Sequence, residues 1–176
     1  EDLLILCEHE PVVTLGKNAP LSGLRVSEEE LARRGVALHR VERGGEATFH
    51  GPGQVVGYPV LKLRDHGIGV KEYVLRLEEV MIRAAAGFGV AAGRRPGTPG
   101  VFTEGGKLGA VGVAVRAGVT FHGFAFNAAP DLSFYSLIIP CGMADVAPVS
   151  IESLTGCAPS LAAVRSELAS AFEQVF

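Results

Sequence analysis

The chain has 176 residues, of which 48% are hydrophobic and 20% charged, a length and composition that fit one folded domain with a sizeable core. Its net charge of −3 argues against a nucleic-acid-binding protein, because such proteins present a basic surface. No apolar run approaches the roughly 20 residues that cross a bilayer, so we expect no membrane segment. The three cysteines, an odd number without paired spacing, indicate a reducing, cytoplasmic setting.

The N-terminal part of the chain predicts short strands around one helix. Residues 3–7 and 12–15 are apolar and read as buried strands. Ser27 is placed to cap a helix with three glutamates in its first turn, and Gly35 would end that helix. Residues 36–42 then predict a further strand.

A glycine-rich stretch over residues 43–53 follows and predicts a loop. Residues 54–62 predict the next strand. Because Gly57 and Pro59 interrupt it, we expect an edge or bulged strand there.

The C-terminal half predicts two amphipathic helices and a hairpin. Apolar residues recur at helical spacing over 70–86 and again over 160–175. Strands over 107–116 and 118–127 would be joined by a tight turn. Strands and helices do not alternate regularly, so the sequence predicts an α+β fold with a mixed, mainly antiparallel sheet flanked by helices.

The glycine-rich loop is a candidate ligand site. Its glycines would let backbone amides approach a ligand closely, and Arg43 and His50 would be able to contact polar ligand atoms. An ordinary long turn with a surface arginine remains the alternative at this point.

A phosphate-binding P-loop and a metal site are excluded by the residues present. Gly105-Gly106-Lys107 is not a phosphate-binding P-loop, because Leu108 stands where Ser or Thr is required. His50 and His122 have no Cys or carboxylate partners at ligand spacing, so we expect no metal, and both are expected to donate hydrogen bonds in or beside a cleft. We expect no cofactor.

Cys141 and Lys107 are the candidate catalytic pair. Cys141 lies between Pro140 and Gly142, where an apolar run ends, which favours a turn over a buried strand. A thiol is a useful nucleophile only as the thiolate, which a nearby ammonium stabilises. The glycines around Lys107 leave room beside it that would suit an acyl chain, and Gly109 and Gly112 are expected to line that space.

Four motifs together carry a family resemblance. They are Arg43-Gly44-Gly45-x-x-Thr48-Phe49-His50-Gly51-Pro52-Gly53-Gln54, Gly106-Lys107-Leu108-x-Ala110-Val111-Gly112, Gly118-Val119-Thr120-Phe121-His122-Gly123-Phe124-Ala125-Phe126-Asn127 and Pro140-Cys141-Gly142. In this order and spacing the chain closely resembles the lipoyl(octanoyl) transferases of lipoate biosynthesis, from about residue 3 to residue 156.

The resemblance implies the fold of the biotin and lipoate protein ligase catalytic domains. It implies transfer of an octanoyl group from acyl carrier protein to a lysine of the lipoyl domains of 2-oxoacid dehydrogenases or of the glycine cleavage H protein, with no nucleic acid or membrane involved. Cys141 would hold the acyl thioester and Lys107 would tune it. The substrate-binding residues it implies are Arg43, Gly44, Gly45, Glu46, Ala47, Thr48, Phe49, His50, Ala110, Val111, Gly112, Gly123, Phe124 and Ala125.

Two other functions remain open. An ATP-dependent lipoate–protein ligase would form an acyl-adenylate and need no cysteine, and in a non-catalytic acyl-binding module Cys141 would be incidental. The Pro-Cys-Gly and Gly-Lys motifs favour the transferase. We expect residues 1–176 to form a single catalytic domain, without the segment that the family usually carries ahead of Leu3. Acidic protein partners would be met by a local basic patch from Arg94, Arg95 and Arg116.

Overall fold

Two β-sheets and two long helices make up the architecture of the computed structural model, which describes residues 2–139 and 146–176. The strands are β1 (Leu3–Cys7), β2 (Val12–Leu15), β3 (Ala37–Arg40), β4 (Ala47–His50), β5 (Gln54–Val60), β6 (Gly93–Arg95), β7 (Thr98–Thr103), β8 (Gly106–Arg116) and β9 (Val119–Asn127). The α-helices are α1 (Glu28–Arg33), α2 (Val70–Gly87), α3 (Ile151–Thr155) and α4 (Leu161–Val175). Three short 3₁₀ turns cover Leu21–Gly23, Leu63–His66 and Leu132–Leu137.

The larger sheet has six antiparallel strands in the order β1-β5-β9-β8-β7-β6. Its centre is the long β8–β9 hairpin, which turns at Ala117 and Gly118, with φ of 50° and 79°. Two successive residues with positive φ give the turn a twist that matches the flanking strands. The predicted tight hairpin is thus confirmed.

The smaller sheet has three strands in the order β3-β2-β4, with β2 parallel to β3 and antiparallel to β4. It encloses a separate apolar cluster that includes Leu31 of α1, Leu137 and Ile138. The helix cap predicted at Ser27 is present, since its side chain accepts a hydrogen bond from Glu30 N.

The main core lies between the six-stranded sheet and the helix pair α2–α4. Leu77, Val80 and Met81 of α2 and Leu168 of α4 have no measurable solvent exposure. Both helices predicted from apolar periodicity are therefore confirmed. In the part of the chain that the structure describes, we find no helix with the length and apolar character needed to span a membrane.

Two expectations for the strands were wrong. The stretch predicted as a loop contains the strand β4, which pairs with β2 over its whole length. The strand predicted at an edge, β5, lies between β1 and β9. Pro59 is accommodated because the β9 ladder stops at Gly57, after which the Pro59 carbonyl accepts a hydrogen bond of 2.8 Å from Thr120 Oγ1.

Candidate active site

A cavity of about 510 Å³ opens between the two sheets. Its volume falls in the range of about 300–1,000 Å³ that is common for small-molecule sites. Residues from β2, the β3–β4 connection, β5 and the β8–β9 hairpin line it. The smaller sheet therefore closes one side of a space whose floor is the larger sheet.

The two short stretches predicted to contact substrate lie directly opposite each other in this cavity. Ala110, Val111 and Gly112 of β8 pair with Ala125, Phe124 and Gly123 of β9, in that order. All six residues line the cavity. Small and apolar residues thus form a continuous wall on two neighbouring strands, a surface that suits a hydrocarbon chain.

The residues predicted over 43–50 separate into three groups. Arg43, Gly44, Gly45, Thr48 and His50 line the cavity. Because side chains alternate across a strand, Ala47 and Phe49 of β4 point instead into the apolar cluster of the smaller sheet, and both are fully buried there. Glu46 is exposed.

Arg43 organises the loop that borders the cavity. Its Nη2 donates to Thr14 O at 2.7 Å and to Thr14 Oγ1 at 2.8 Å, and its Nη1 donates to Gly44 O at 3.1 Å. Gly44 N in turn donates to Val113 O of β8 at 2.9 Å. The buried guanidinium therefore ties the loop to the smaller sheet, while the loop backbone is tied to the larger one.

Gly112 and Gly109, both predicted beside an acyl chain, have different surroundings. A Cβ on Gly112 would lie 3.0 Å from Arg43 Cδ and 3.1 Å from Gly44 O, at the cavity wall. A Cβ on Gly109 would lie 2.6 Å from the Met81 sulfur, in the main core. Only Gly112 lines the cavity, and Gly109 instead allows α2 to approach β8 closely.

Histidines supply most of the ionisable groups at the cavity. Burial, opposed by the hydrogen bond that His50 makes to Gln54 Oε1, lowers the pKa of His50 to about 4. Burial and the positive charge of Arg43 also lower the pKa of His122. His122 has a φ of 57° within β9, an uncommon conformation for a non-glycine residue. Both rings are neutral near pH 7.

His9 and Tyr58 are cavity residues that the sequence did not single out. His9 Nε2 and Tyr58 Oη are 2.6 Å apart, and both side chains line the cavity. Cys7 lies beside them, with its sulfur 3.7 Å from His9 Nε2. Burial raises the pKa of both Tyr58 and Cys7, so the thiol of Cys7 is not activated. A histidine two residues after the predicted strand 3–7 was the available signal.

Lys107 is buried on β8, three residues before the cavity wall begins. Its Nζ donates to Pro99 O at 3.1 Å and lies 5.3 Å from the centre of the Phe102 ring. Gly100 makes room for the side chain, because a Cβ there would lie 2.7 Å from Lys107 Cε. The 9% exposure of Lys107 rules out the ordinary solvated lysine.

A buried carboxylate on α2 fixes the part of β7 that receives the Lys107 side chain. Glu78 Oε1 accepts a hydrogen bond of 2.8 Å from Gly100 N, and Oε2 lies 3.2 Å from Arg94 Nε. Glu78 is 4% exposed. Its position on the apolar face of the predicted helix, three residues before Met81, was a signal in the sequence that a carboxylate with a specific partner is buried here.

Pro140, Cys141 and Gly142 lie outside the described residues. The chain on either side of them is anchored: Ile139 N donates to Gly23 O at 2.8 Å. On the other side, Lys107 N donates to Ala147 O at 2.9 Å, and Lys107 O accepts from Val149 N at 3.0 Å. The segment that follows Cys141 is therefore paired with the backbone of Lys107.

The described residues also bear on metal binding. Over residues 2–139 and 146–176, no three His, Cys, Asp or Glu side chains are grouped so that they could hold a metal ion.

Solved structures with the same fold are protein ligases. A lipoate–protein ligase A bound with ATP superposes with a TM-score of 0.83 at 17% identity, over 99% of this chain and 72% of that one. The biotin protein ligase of Aquifex aeolicus in complex with biotin and ATP gives a TM-score of 0.60 at 15% identity, over 93% of this chain and 68% of that one. The fold is that of the lipoate and biotin protein ligase catalytic domains, as predicted.

Sequence comparison identifies the family. The profile of the lipoyl protein ligase A/B catalytic domain matches residues 1–173, and the chain belongs to this family. An octanoyltransferase of Desulfotalea psychrophila is 47% identical over 177 residues, which cover 99% of this chain and 79% of that protein. The resemblance found in the motifs is therefore confirmed.

Proposed function

We propose that the chain transfers an octanoyl group from the thioester of an acyl carrier protein to a lysine side chain of a lipoyl domain. Curated relatives named octanoyltransferase are 41–47% identical to it over nearly its whole length, and the chain is an acyltransferase of protein lipoylation. The proposal covers the carrier-protein donor, the lipoyl-domain acceptor and a covalent intermediate on the enzyme.

The observation that carries the proposal is the convergence of three separate segments on one cavity. The Arg43–Gly45 loop, the β8 stretch Ala110–Gly112 and the β9 stretch Gly123–Ala125 are distant in sequence and all line it. Burial of an eight-carbon chain at about 0.8 kcal/mol per CH₂ would contribute on the order of 5 kcal/mol. The apolar β8–β9 wall provides that surface.

In the first step the thiolate of Cys141 attacks the carbonyl carbon of the octanoyl thioester. The new C–S bond forms as the bond to the carrier sulfur breaks, and the carrier leaves as a thiol with the proton that came from Cys141. Lys107 would hold that proton between the two sulfurs. The pairing of Lys107 with residues 147–149 supports this role, since the six Cα–Cα steps from Cys141 to Ala147 span at most about 22 Å.

In the second step the amine of the acceptor lysine attacks the Cys141 thioester. An amide bond forms, the C–S bond breaks, and one amine proton returns to the Cys141 sulfur. A lysine amine is mostly protonated at pH 7, with a reference pKa near 10.4, so this step also needs a proton acceptor. Lys107 would alternate between acid and base, and the pair would titrate as a unit.

Charge on the protein partners bears on docking. Lipoyl domains and carrier proteins that are acidic would favour basic surface, and three arginines were predicted to supply it. Arg94 is paired with Glu78 and Glu79, and Arg116 with Glu42. Arg95, on the edge strand β6, lies over the Phe102 ring at 4.6 Å, the same ring that Lys107 Nζ approaches, and is the arginine best placed for such a contact.

The experiment that tests the proposal is intact-mass analysis of the protein mixed with octanoyl-acyl carrier protein, without ATP. We expect an adduct of one octanoyl group that hydroxylamine removes, as a thioester requires. Transfer that appears only after ATP is added would establish the ligase alternative. Failure of both would favour the acyl-binding module.

Replacement of each cysteine identifies the nucleophile. Cys141→Ala should abolish both adduct and transfer. Cys157→Ala, at an exposed site, and Cys7→Ala, at a half-buried one, are the matched controls and should retain most activity. Loss of the adduct in Cys157→Ala with retention in Cys141→Ala would show that the nucleophile is Cys157 and not Cys141.

A further inference from the structure

The hydrogen-bonding direction of Gln54 is fixed by a backbone carbonyl. Its Nε2 lies 3.2 Å from Phe49 O and 2.9 Å from Asn127 Oδ1. A carbonyl oxygen can only accept, so the atom facing Phe49 O must be the NH₂ group. The carbonyl oxygen Oε1 of Gln54 therefore faces the other way, towards His50.

Asn127 is fixed by the same logic. Its Nδ2 donates to Val149 O at 2.9 Å, which leaves Oδ1 to accept from Gln54 Nε2 and, at 3.2 Å, from Tyr135 Oη. Gln54 has no measurable exposure and Asn127 is 4% exposed. The two amides form a buried relay that has only one consistent set of donors and acceptors.

This relay determines which nitrogen of His50 carries the proton. His50 Nδ1 is 2.7 Å from Gln54 Oε1, and because Oε1 can only accept, Nδ1 must carry hydrogen. The low pKa of His50 keeps the ring neutral near pH 7, so Nε2 bears a lone pair. Within residues 2–139 and 146–176 no protein group hydrogen-bonds Nε2, and the ring lines the cavity. The hydrogen bond that His50 was expected to donate beside the cleft comes from Nδ1 and goes to Gln54.

We propose that His50 Nε2 is a permanent hydrogen-bond acceptor of the cavity, held in one tautomer by the Gln54–Asn127 relay, and that it recognises an N–H group of a substrate. The proposal rests on the proposed octanoyl transfer and names a contact that this reaction would use.

The chemistry of the substrates limits which groups can donate a hydrogen bond to His50 Nε2. An octanoyl chain carries no hydrogen-bond donor, and an unmatched acceptor beside it would cost free energy on binding. Two groups of the proposed reaction do carry N–H donors: the amides of the arm that presents the thioester, and the amine of the acceptor lysine. The arm amides would contact His50 during octanoylation of the enzyme, and the lysine amine would contact it during transfer to the lipoyl domain. Separate rate measurements of these two half-reactions therefore distinguish the two contacts.

A matched pair of substitutions separates recognition from a structural role. In His50→Asn the side-chain amide replaces Nδ1 and still donates to Gln54, but the acceptor in the cavity is gone. In His50→Gln the longer side chain carries an amide oxygen to the position of Nε2. If His50 has only a structural role, His50→Asn should be the more active variant. If Nε2 recognises substrate, His50→Gln should be the more active one.

Each half-reaction is measured separately. Octanoylation of the enzyme by octanoyl-acyl carrier protein is followed by intact mass, and transfer from the loaded enzyme to a lipoyl domain by single turnover. We expect His50→Asn to slow one step about tenfold, as loss of one hydrogen bond predicts, and His50→Gln to stay within about threefold of the wild type. A slower first step assigns the donor to the arm amides, and a slower second step assigns it to the lysine amine.

The tautomer is tested in the free protein, independently of activity. Long-range ¹⁵N–¹H spectra of the histidine-labelled chain should show a protonated Nδ1 and a bare Nε2 for His50 at pH 7. The reverse tautomer would overturn the proposal even if octanoyl transfer is confirmed. So would equal rates for His50→Asn and the wild type in both half-reactions, or a larger loss in His50→Gln than in His50→Asn.

Discussion

Lys107, three residues before the cavity wall on β8, and His50, which lines the cavity, are held by different means. The Lys107 side chain donates to the Pro99 carbonyl in β7, a strand that a buried carboxylate and its arginine hold in place. His50 is held by two neutral amides and is exposed to the cavity through a bare nitrogen. A backbone carbonyl and an aromatic ring thus contact the Lys107 amine, and a buried ion pair holds the strand that carries this carbonyl, whereas neutral amides hold the His50 ring. The difference fits the separate roles proposed for them in proton transfer and in recognition.

Replacement of Lys107 should have the largest effect. Lys107→Met should reduce octanoyl transfer by on the order of 10²-fold or more, because general acid–base catalysis contributes about 10²–10⁴-fold. Lys107→Arg keeps a positive charge but cannot give up its proton, so it should also transfer poorly. Single-turnover transfer to a lipoyl domain is the measurement. Transfer at the wild-type rate in Lys107→Arg would show that the charge alone is required.

The pH dependence of the free energy of unfolding tests whether His50 is buried as a neutral ring. The pKa of His50 is about 4 in the folded chain and near 6.5 when unfolded, so between these values the unfolded state binds more protons. The free energy of unfolding should therefore rise with pH across this window and fall by on the order of 3 kcal/mol as pH drops from 6.5 to 4.

Urea unfolding of wild type and His50→Gln isolates this effect. The other histidines are present in both chains, so only the wild type should show the additional dependence between pH 4 and 6.5. Parallel curves would mean that His50 is not buried as a neutral ring.

Substitutions of Glu78 and Glu79 on α2 test whether the buried carboxylate of Glu78 positions the part of β7 that contacts Lys107. Glu78→Ala leaves Gly100 N and Arg94 without their buried partner, so we expect a loss of about 1–3 kcal/mol in stability and about tenfold in transfer. Glu78→Gln keeps an acceptor for Gly100 N and should recover most of the transfer.

Glu79→Gln is the matched control, because Glu79 shares Arg94 but makes no contact with Gly100 among those described. It should transfer normally. Equal losses in Glu79→Gln and Glu78→Ala would show that transfer depends on Arg94 and not on the hydrogen bond to Gly100 in β7.

The two glycines of β8 should respond differently to a larger side chain. Gly112→Leu adds bulk at the cavity wall and should shift preference towards acyl groups shorter than octanoyl. Gly109→Ala places a methyl group against Met81 and should cost about 1–3 kcal/mol in stability without changing acyl preference. Competition between butanoyl and octanoyl donors is the measurement. Equal loss with both donors in Gly112→Leu would assign that glycine to backbone geometry.

Local patterns in the sequence predicted the helices and the hairpin. The periodicity of α2 and α4, the cap at Ser27 and the β8–β9 turn all depend on residues close in the chain. The strand β4 was missed because its four residues sit between glycines, and its pairing with β2 bridges a long separation. The path of β5 through the interior of the sheet was missed for a similar reason, since only the end of the β9 ladder explains how Pro59 fits.

The sequence predicted most residues of the candidate site but not the hydrogen bonds that connect them. The motifs identify Arg43, His50 and the β8 and β9 stretches that line the cavity. The alternation that turns Ala47 and Phe49 away required knowing that β4 is a strand. The relay from Asn127 to His50 passes through the Gln54–Asn127 hydrogen bond, which joins residues 73 apart in the chain and which no local pattern encodes.

The most direct test of the Cys141–Lys107 pair is the rate of alkylation of Cys141 by iodoacetamide as a function of pH. Exposed Cys157, followed by peptide mapping in the same sample, is the internal reference. If Lys107 stabilises the thiolate, Lys107→Met should slow alkylation of Cys141 at pH 7 and approach the wild-type rate above about pH 8.5, while Lys107→Arg keeps part of the rate. An unchanged profile in Lys107→Met would contradict the pair and with it the proposed mechanism.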